Sequence, residues 1–267
     1  MEIPLLTYVA IALLATAVSA MTLFAGFGLG TLLLPAFALV FPIDVAVAAT
    51  AVVHLLNSLF KVGLLYKHAV PKVLLRFGLP AIVMALVGAS VLARLSGLEP
   101  LAAYELFGRT ATVTPIKLVM GGLILTFAVI DLVPGSSGLR FPPPLLPVGG
   151  MLSGFFGGLS GHQGALRAAF LLPLGLEPAN FAATQAVLAA MVDLSRLSIY
   201  GTSFLTGRMA GVSGASQWSL VAVATVAAFA GALVGRSLLP KMTIGGLRLL
   251  TGTLLLVVGL ALGAGWI

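Results

Sequence analysis

The sequence contains no cysteine, so disulfide bonds, thiolate nucleophiles and cysteine-ligated metal sites are excluded. Charged residues are also scarce: they make up 8% of the 267 residues, whereas a soluble domain carries about 25%. Residues 3–43 contain no charged side chain, and this length allows more than one bilayer crossing at about 20 residues each. The N-terminus lacks the basic region of a secretory signal, so we expect the first apolar segment to be retained. The chain is therefore predicted to be an integral membrane protein.

Recognisable catalytic motifs are missing as well. There is no His-Glu-x-x-His or Gly-x-Gly-Asp motif, and the three histidines lie in separate segments. These absences argue against an intramembrane enzyme, and we expect no catalytic residue, metal or cofactor. The net charge of +7 suits cytoplasmic loops and anionic lipid headgroups, although an anion-selective cavity would also use some of the basic residues. We expect the lipid bilayer and a small anion as partners, expect no nucleic acid, and leave a homo-oligomer open.

What the chain does contain is an internal repeat. Each copy has a glycine-rich break, a short apolar piece, a polar bend and a second apolar piece. Three residues of the first copy recur in the second after 134 positions: Gly30 as Gly164, Thr50 as Thr184, and Tyr66 as Tyr200. A repeat at fixed spacing defines the architecture of a chain. We therefore divide the chain into an N-terminal transmembrane repeat (1–134), a linker (135–144) and a C-terminal transmembrane repeat (145–267).

Each copy contains an apolar segment that is too short to cross the bilayer. In the first copy residues 29–41 are followed by Pro42 and Asp44, and in the second residues 165–176 are followed by Glu177 and Pro178. Matched segments interrupted by glycine or proline in the two halves of a membrane protein are typical of a transport site. The bare backbone of such a break is tolerated in lipid only where it faces protein or a cavity. For the glycines of the first break, close packing of helices through small residues is the alternative interpretation.

These segments predict an all-α polytopic membrane protein with about eight transmembrane helices, arranged as two four-helix repeats that each contain a broken or re-entrant segment. Four crossings per half would make the repeats parallel, whereas an odd number would invert one relative to the other; the breaks leave both open. Residues 99–107 predict a short interfacial helix. The basic residues divide almost evenly between the two sides, five against six. We favour cytoplasmic termini because residues 67–76 form the densest short basic loop.

The two copies resemble the paired signature of the sulfite exporter TauE/SafE family of membrane permeases, which is a glycine cluster, an apolar stretch ending in proline, a short bend, and Ala-x-x-Thr or similar. The matching residues are Gly26, Gly28, Gly30, Pro35, Ala46 and Thr50 in the first copy, and Gly161, Gly164, Ala182 and Thr184 in the second. The chain departs from the family at His162 and Gln163, which interrupt the second glycine cluster, and at Ala169, which replaces the proline. The resemblance implies a multi-pass protein of the cell inner membrane that exports or takes up sulfur-containing anions, such as sulfite or organosulfonates, often in a proton-linked cycle.

Arg167 is the leading candidate for binding the anion. It lies inside an apolar half-helix, where a charge costs about 2.5–3.5 kcal/mol and is therefore expected to face the protein interior or a cavity. Its guanidinium group carries five fixed donors that match the oxygens of sulfite or a sulfonate. The alternatives are an ion pair with Asp193 and an interfacial anchor. Asp193 has a second candidate partner in Arg196, three residues along the same helix; if it pairs with Arg167 instead, its protonation would release Arg167 and couple protons to anion movement.

Other residues are candidates for lining the same cavity. His162 is a candidate proton carrier together with Asp193, because imidazole titrates near neutral pH, although a hydrogen-bonded structural role is the alternative. Lys61 is expected to extend to the membrane surface, and Tyr66 and Tyr200 are expected to be interfacial anchors. The neutral polar candidates for substrate contact or for hydrogen bonds between helices are Gln163, Gln185, Thr50, Thr184, Asn57 and His54. The glycines at the breaks, whose N–H groups would point at an anion, are Gly28, Gly30, Gly161 and Gly164.

Four functions are compatible with this chemistry to different degrees. A secondary transporter that works by alternating access around the two broken segments accounts for the repeat, the breaks and Arg167. A channel for anions or small neutral solutes would show flux without saturation and without dependence on protons. A structural or assembly subunit would not need internal polar groups in both halves, and an enzyme would need a catalytic motif. We therefore predict a secondary transporter, with a channel as the alternative.

Overall fold

The computed structural model describes residues 3–25, 28–106, 108–133, 140–207, 209, 214–238 and 244–267. Gly26 and residues 135–139 of the expected linker lie outside these ranges. The first half contains α1 (Leu5–Ala25), α2 (Leu29–Ala38), α3 (Ile43–Leu65), a continuous helix formed by α4 (Pro71–Val73), a π-helical turn (Leu74–Gly78) and α5 (Leu79–Ser96), two strands β1 (Ala102–Leu106) and β2 (Arg109–Val113), and α6 (Pro115–Leu132). The second half contains α7 (Leu146–Ser160), α8 (Gly164–Leu171), α9 (Pro178–Leu205), α10 (Ala215–Leu238) and α11 (Ile244–Gly263). Short 3₁₀ turns occupy Tyr66–His68, Pro143–Leu145 and Leu172–Leu174.

The described helices fit a membrane interior. Asp193 and Arg196 make α9, with its 28 residues, more polar than the other long helices. Four segments are long and apolar enough to cross a bilayer: Leu5–Thr22, Ile43–His68, Pro71–Ser96 and Ala215–Gly235. Shorter apolar helices are Leu29–Ala38, Pro115–Ile130, Gly164–Leu174 and Gly252–Gly263. The protein is thus a mostly helical, polytopic membrane protein, while eight crossings stay a prediction.

The two short helical segments predicted from the sequence are present. Helix α2 has 10 residues and α8 has 8 residues, so each extends about 12–15 Å at 1.5 Å per residue, roughly half the hydrocarbon core. Gly28 precedes α2 with φ of 123° and Gly161 ends α7 with φ of 83°. Positive φ is accessible to glycine without a steric penalty, which explains why each break occurs at a glycine.

The two halves are interlocked. Helix α1 of the first half packs along α10 of the second, and the pair related to it by the repeat is α5 of the first half with α7 of the second. Glycines form both seams: a Cβ at Gly154 would overlap the carbonyl oxygen of Ala81, and a Cβ at Gly231 would overlap that of Thr16. Small residues allow helix backbones to approach closely, which favours association in lipid where apolar burial contributes little. Each half therefore depends on the other for its helix packing.

Helices that correspond in the two halves run antiparallel. His54 on α3 contacts Asp193 on α9, whereas Val70, in the loop that follows α3, contacts Thr184, which lies earlier on α9 than Asp193. The equivalent pair α6 and α11 shows the same reversed order in its close approaches, which are Gly121 with Gly263 and Gly252 with Leu132. The repeat is therefore inverted, with its pseudo-two-fold axis in the membrane plane.

The short helix α2 explains this inversion. Helices α1 and α3 run in the same direction, because Ser19 contacts Asn57 and Thr22, one turn later, contacts Lys61. The first break and α2 must then return the chain between these two helices. The first half then contains four long helices and this short return, which together reverse the chain direction an odd number of times. The second copy therefore starts from the opposite face of the membrane. Of the parallel and inverted arrangements that the sequence left open, the described helices therefore fit the inverted one.

A β-hairpin replaces the interfacial helix expected over residues 99–107. Strands β1 and β2 pair in antiparallel register, with Tyr104 opposite Ala111. The second strand is rich in threonine and valine, which favour extended backbone, and Gly108 adopts φ of 71° in the turn. The hairpin is anchored to the C-terminal end of the chain, because Thr112 N donates to the carbonyl oxygen of Gly265 at 3.1 Å. Tertiary contact and turn chemistry therefore decide this segment.

The helix directions define two faces of the membrane protein. The loop face carries residues 66–70, 140–145 and 172–177, and the hairpin face carries the β-hairpin together with the start of α1 and the end of α11. The basic loop 67–76 thus lies opposite the described ends of the chain, which contradicts the reason for expecting cytoplasmic termini. Among the described backbone positions, six basic residues lie towards the loop face, namely Lys67, Lys72, Arg76, Arg140, Arg236 and Arg248, and three lie towards the hairpin face, namely Arg94, Arg109 and Lys117. Arg208 and Lys241 lie outside the described residues.

Candidate functional site

The two helix breaks meet at the centre of the molecule. A Cβ placed on Gly30, in the first turn of α2, would lie 3.4 Å from the carbonyl oxygen of Gly161 and 3.6 Å from the His54 ring. His54 lies halfway along α3, so both breaks are near the middle of the membrane. Gly28 is close to α1, where its Cβ would come within 2.9 Å of Thr22. Gly164 is buried in the first turn of α8.

A buried carboxylate lies next to the breaks. Asp193 is 0% exposed, and its Oδ2 lies 2.5 Å from Nδ1 of His54. Its Oδ1 accepts from Nε of Arg196 at 2.9 Å and from Nε2 of Gln163 at 3.2 Å. We call His54 and Asp193 the central pair, because they join α3 to α9 across the inverted repeat. The pairing of Asp193 with Arg196, one of the two alternatives from the sequence, is confirmed.

Arg167 is held by two glutamines. It is 2% exposed; its Nε donates to Oε1 of Gln185, and its Nη1 donates to Oε1 of Gln163 at 3.0 Å. Gln163 therefore connects Arg167 to Asp193, since its amide nitrogen donates to that carboxylate. These two neutral partners orient the guanidinium group, whose charge also interacts with the Asp193 carboxylate. Arg167 is thus an interior residue rather than an interfacial anchor.

A polar pocket lies beside Arg167 on the loop-face side of the central pair. Counting the space open at its mouth, the pocket has an empty volume of about 380 Å³. The pocket residues on α3 come after His54, and those on α9 come before Asp193. Because the two helices are antiparallel, both sets lie between the central pair and the loop face. The lining residues are Thr22, Leu29, His54, Asn57, Ser58, Lys61, Arg167, Ala182, Gln185, Ala186 and Ala189. With Lys61 and Arg167 in its wall, the pocket is electropositive and suited to an anion.

Lys61 is the functional candidate that the sequence analysis placed wrongly. It was expected to reach the membrane surface, but it lines the pocket, and its Nζ donates to Oγ1 of Thr22 at 3.5 Å. Ser58 also lines the pocket, although it was not among the candidates predicted from the sequence. The signal was present in the spacing: residues 54, 57, 58 and 61 recur at three- and four-residue intervals and therefore share one helix face.

Several expected site residues lie away from the pocket. His162 is 3% exposed, stacks on Phe127 with ring centroids 4.9 Å apart, and contacts Ser160 through Nδ1. Thr184 accepts a hydrogen bond from the backbone N of Val70 at 3.0 Å, and Thr50 is buried in α3. Tyr200 was expected at the interface, but it is buried, since it lies one helical turn after the buried Arg196 on the same face of α9. Its hydroxyl group donates a hydrogen bond to the carbonyl oxygen of Gly158. Tyr66 is exposed, in agreement with the sequence.

Inverted repeats that each place a broken helix at mid-membrane, next to a buried cationic pocket, define a class of membrane transport protein. The family described as sulfite exporter TauE/SafE matches residues 9–262. The chain belongs to that family, in agreement with the resemblance of its two glycine-rich copies. It is accordingly a multi-pass membrane protein of the sulfur-anion exporter type. No curated protein and no solved structure matches the chain significantly.

Proposed function

We propose that this protein is a secondary transporter of a small sulfur-containing oxyanion, such as sulfite or an organosulfonate, in the cell inner membrane, and that it is not an enzyme. The observation that carries the proposal is the position of Arg167, which is buried, oriented by two glutamines and part of a pocket that also contains Lys61. Two cations in one pocket favour a charged oxygen ligand over a neutral solute. The planar guanidinium group also matches two oxygens of such a ligand at once.

Alternating access is the mechanism that the inverted repeat supports. The pocket lies on the loop-face side of the central pair, whereas Arg196 and Tyr200, which follow Asp193 on α9 towards the hairpin face, are tightly buried. The described arrangement therefore has its anion pocket on one side only. Exchanging the conformations of the two inverted halves would bury that pocket and open the opposite side.

The central pair is suited to coupling protons to this cycle. His54 and Asp193 are 2.5 Å apart and join the two inverted halves. Because Gln163 contacts both Asp193 and Arg167, a change in the charge of the carboxylate would reach the anion pocket through one side chain. We therefore assign proton coupling to His54 and Asp193, and not to His162, whose contacts are Ser160 and Phe127.

The distribution of basic residues supports a cytoplasmic loop face. Six described basic positions lie towards that face and three towards the hairpin face, and basic residues accumulate on the cytoplasmic side of membrane proteins. Since the natural chain has no cysteine, single cysteines report sidedness directly. Ala103→Cys on the hairpin should react with a membrane-impermeant maleimide in intact cells, whereas His68→Cys should react only after permeabilisation. The reverse pattern would refute this orientation.

Flux measurements with Arg167 variants test the proposed function. Purified protein would be reconstituted in liposomes, and uptake of labelled sulfite, thiosulfate, taurine and sulfoacetate would be compared with that of plain carboxylates. Arg167→Gln should abolish saturable anion flux while the protein elutes as a folded species in size-exclusion chromatography, and Arg167→Lys should retain only part of the flux because it loses the planar donor pair. Unchanged flux in folded Arg167→Gln would remove this residue from the site. Flux that rises linearly with anion concentration in the natural protein would indicate a channel.

A further inference from the structure

The side-chain amide of Gln185 has one atom in use and one without a partner. Gln185 is 3% exposed and lines the pocket beside Arg167, and its Oε1 accepts from Nε of Arg167. Because an arginine nitrogen can only donate, this contact identifies the other amide atom, Nε2, as an NH₂ group that can also only donate. Nε2 is buried and has no hydrogen-bond partner among the residues that the structure describes. A buried donor without a partner is rare and points to a ligand or to water.

The other glutamine at Arg167 has both of its amide atoms in use. Oε1 of Gln163 accepts from Nη1 of Arg167 at 3.0 Å, and its Nε2 donates to Oδ1 of Asp193 at 3.2 Å. Gln163 thus connects the cation to the central pair, whereas Gln185 connects the cation to the pocket. Of these two glutamines, Gln185 is therefore the one with an amide nitrogen left for a bound anion.

The first half of the repeat has apolar residues at the positions of Arg167 and Gln185. After the shift of 134 residues, Arg167 corresponds to Leu33 and Gln185 to Ala51. Leu33 and Ala51 are both 0% exposed and belong to the apolar core. The fold therefore does not need polar groups at these two positions, which favours a role in ligand binding for the cation and the glutamine of the second half.

The shape of the anion leaves one oxygen for a donor other than Arg167. One edge of a guanidinium group binds two oxygens of an anion. Sulfite and sulfonate groups carry three oxygens that do not share a plane with the sulfur atom, so the third oxygen lies outside this edge. The Oε1 contact holds Nε2 of Gln185 next to Arg167. Ala182, Ala186 and Ala189 line the pocket on the same face of α9, and their small apolar side chains suit a short alkyl group on the sulfur atom.

We propose that Gln185 is a specificity-determining residue of the anion pocket, and that its Nε2 donates to the third oxygen of a sulfite or sulfonate group while Arg167 binds the other two. The inference rests on the proposed transport function and deepens it, because it states how the pocket distinguishes anions of equal charge. A ligand with only two oxygens, such as a sulfinate, satisfies Arg167 but leaves Nε2 without an acceptor. Such a ligand therefore forms one charge-assisted hydrogen bond fewer.

Binding of two matched anions to the purified protein tests the proposal. Ethanesulfonate and ethanesulfinate share the alkyl group, the sulfur atom and a single negative charge, but the first has three oxygens and the second has two. Isothermal titration calorimetry gives both Kd values, and the Kd of ethanesulfinate divided by that of ethanesulfonate is the selectivity. Gln185→Met removes the donor and should lower this selectivity about tenfold, which corresponds to roughly 1.4 kcal/mol. If Gln185 only positions Arg167, both anions bind more weakly by the same factor, and this unchanged selectivity would overturn the proposal.

Gln185→Glu is a second variant, which keeps the length of the side chain and an oxygen acceptor for Arg167. Its other oxygen replaces the donor by an acceptor, so the selectivity should again fall about tenfold or more, although the added charge weakens the binding of both anions. Lys61→Met is the matched control: an ammonium group acts as a point charge, so both anions should lose affinity by the same factor. Selectivity that is lost in Lys61→Met and kept in the Gln185 variants would refute the assignment.

The same measurements separate this inference from the proposed function. If the natural protein binds neither anion and shows no saturable anion flux, the transport function fails and the role of Gln185 fails with it. If the natural protein binds and transports sulfonates, and the selectivity survives in both Gln185 variants, only the role of Gln185 is refuted.

Discussion

Replacing Asp193 by asparagine tests whether the central carboxylate holds the two halves together. The carboxylate is fully buried and accepts contacts from His54, Arg196 and Gln163 at 2.5, 2.9 and 3.2 Å. Asparagine has nearly the same shape, but it leaves the buried guanidinium of Arg196 without a counter-charge. Breaking a buried ion pair in this way costs about 3–5 kcal/mol. The amide oxygen of asparagine still accepts one hydrogen bond, which returns about 1 kcal/mol.

The expected net loss of stability is therefore about 2–4 kcal/mol. At roughly 2–4 °C per kcal/mol for a chain of this size, the melting temperature in detergent should fall by roughly 5–15 °C. Fluorescence-detected size-exclusion chromatography after heating measures this shift. The double variant Asp193→Asn/Arg196→Gln should recover part of the loss, because it removes the uncompensated charge as well. A shift below about 2 °C, or a double variant as unstable as the sum of the single variants, would refute the reasoning.

Three further predictions concern packing and the pocket. Gly121→Leu should reduce the yield of folded protein sharply, because its Cβ would lie 2.9 Å from the carbonyl oxygen of Gly259 in α11. Gly122→Leu is the control and should fold normally, because a Cβ there meets nothing within 4 Å. Size-exclusion profiles of the two variants test this difference. Lys61→Met should weaken sulfite binding to purified protein about tenfold, roughly 1.4 kcal/mol, without lowering the melting temperature. Unchanged affinity would show that Lys61 does not contribute to anion binding. Tyr200→Phe should lower the free energy of unfolding by about 1 kcal/mol, because it removes the hydrogen bond to Gly158. Thermal melting measures this change, and a melting temperature equal to that of the natural protein would show that the bond contributes nothing.

Much of the site could be predicted because it depends on local sequence signals. The glycines that end α7 and precede α2 adopt positive φ, a conformation that few other residues tolerate, so their positions predict the breaks. Arg167 stands out because a charge inside an apolar half-helix has few stable environments. The antiparallel contact between the central residues of α3 and α9 could not be predicted, because hydropathy contains no information on helix direction.

The sequence by itself determined that this is a membrane protein, that it contains two short helices limited by glycines, and that Arg167 is the leading candidate for an interior cation. These properties follow from hydrophobicity, spacing and backbone preference, all of which act over neighbouring residues. The tertiary structure decided that the repeat is inverted, that Lys61 shares the pocket with Arg167, and that His162 stacks on Phe127 away from this pocket. It also turned residues 102–113 into a hairpin. These outcomes depend on contacts between residues far apart in the chain. Local backbone preferences and hydrophobicity favour several helix arrangements about equally, and the packing of the helices against one another selects one of them.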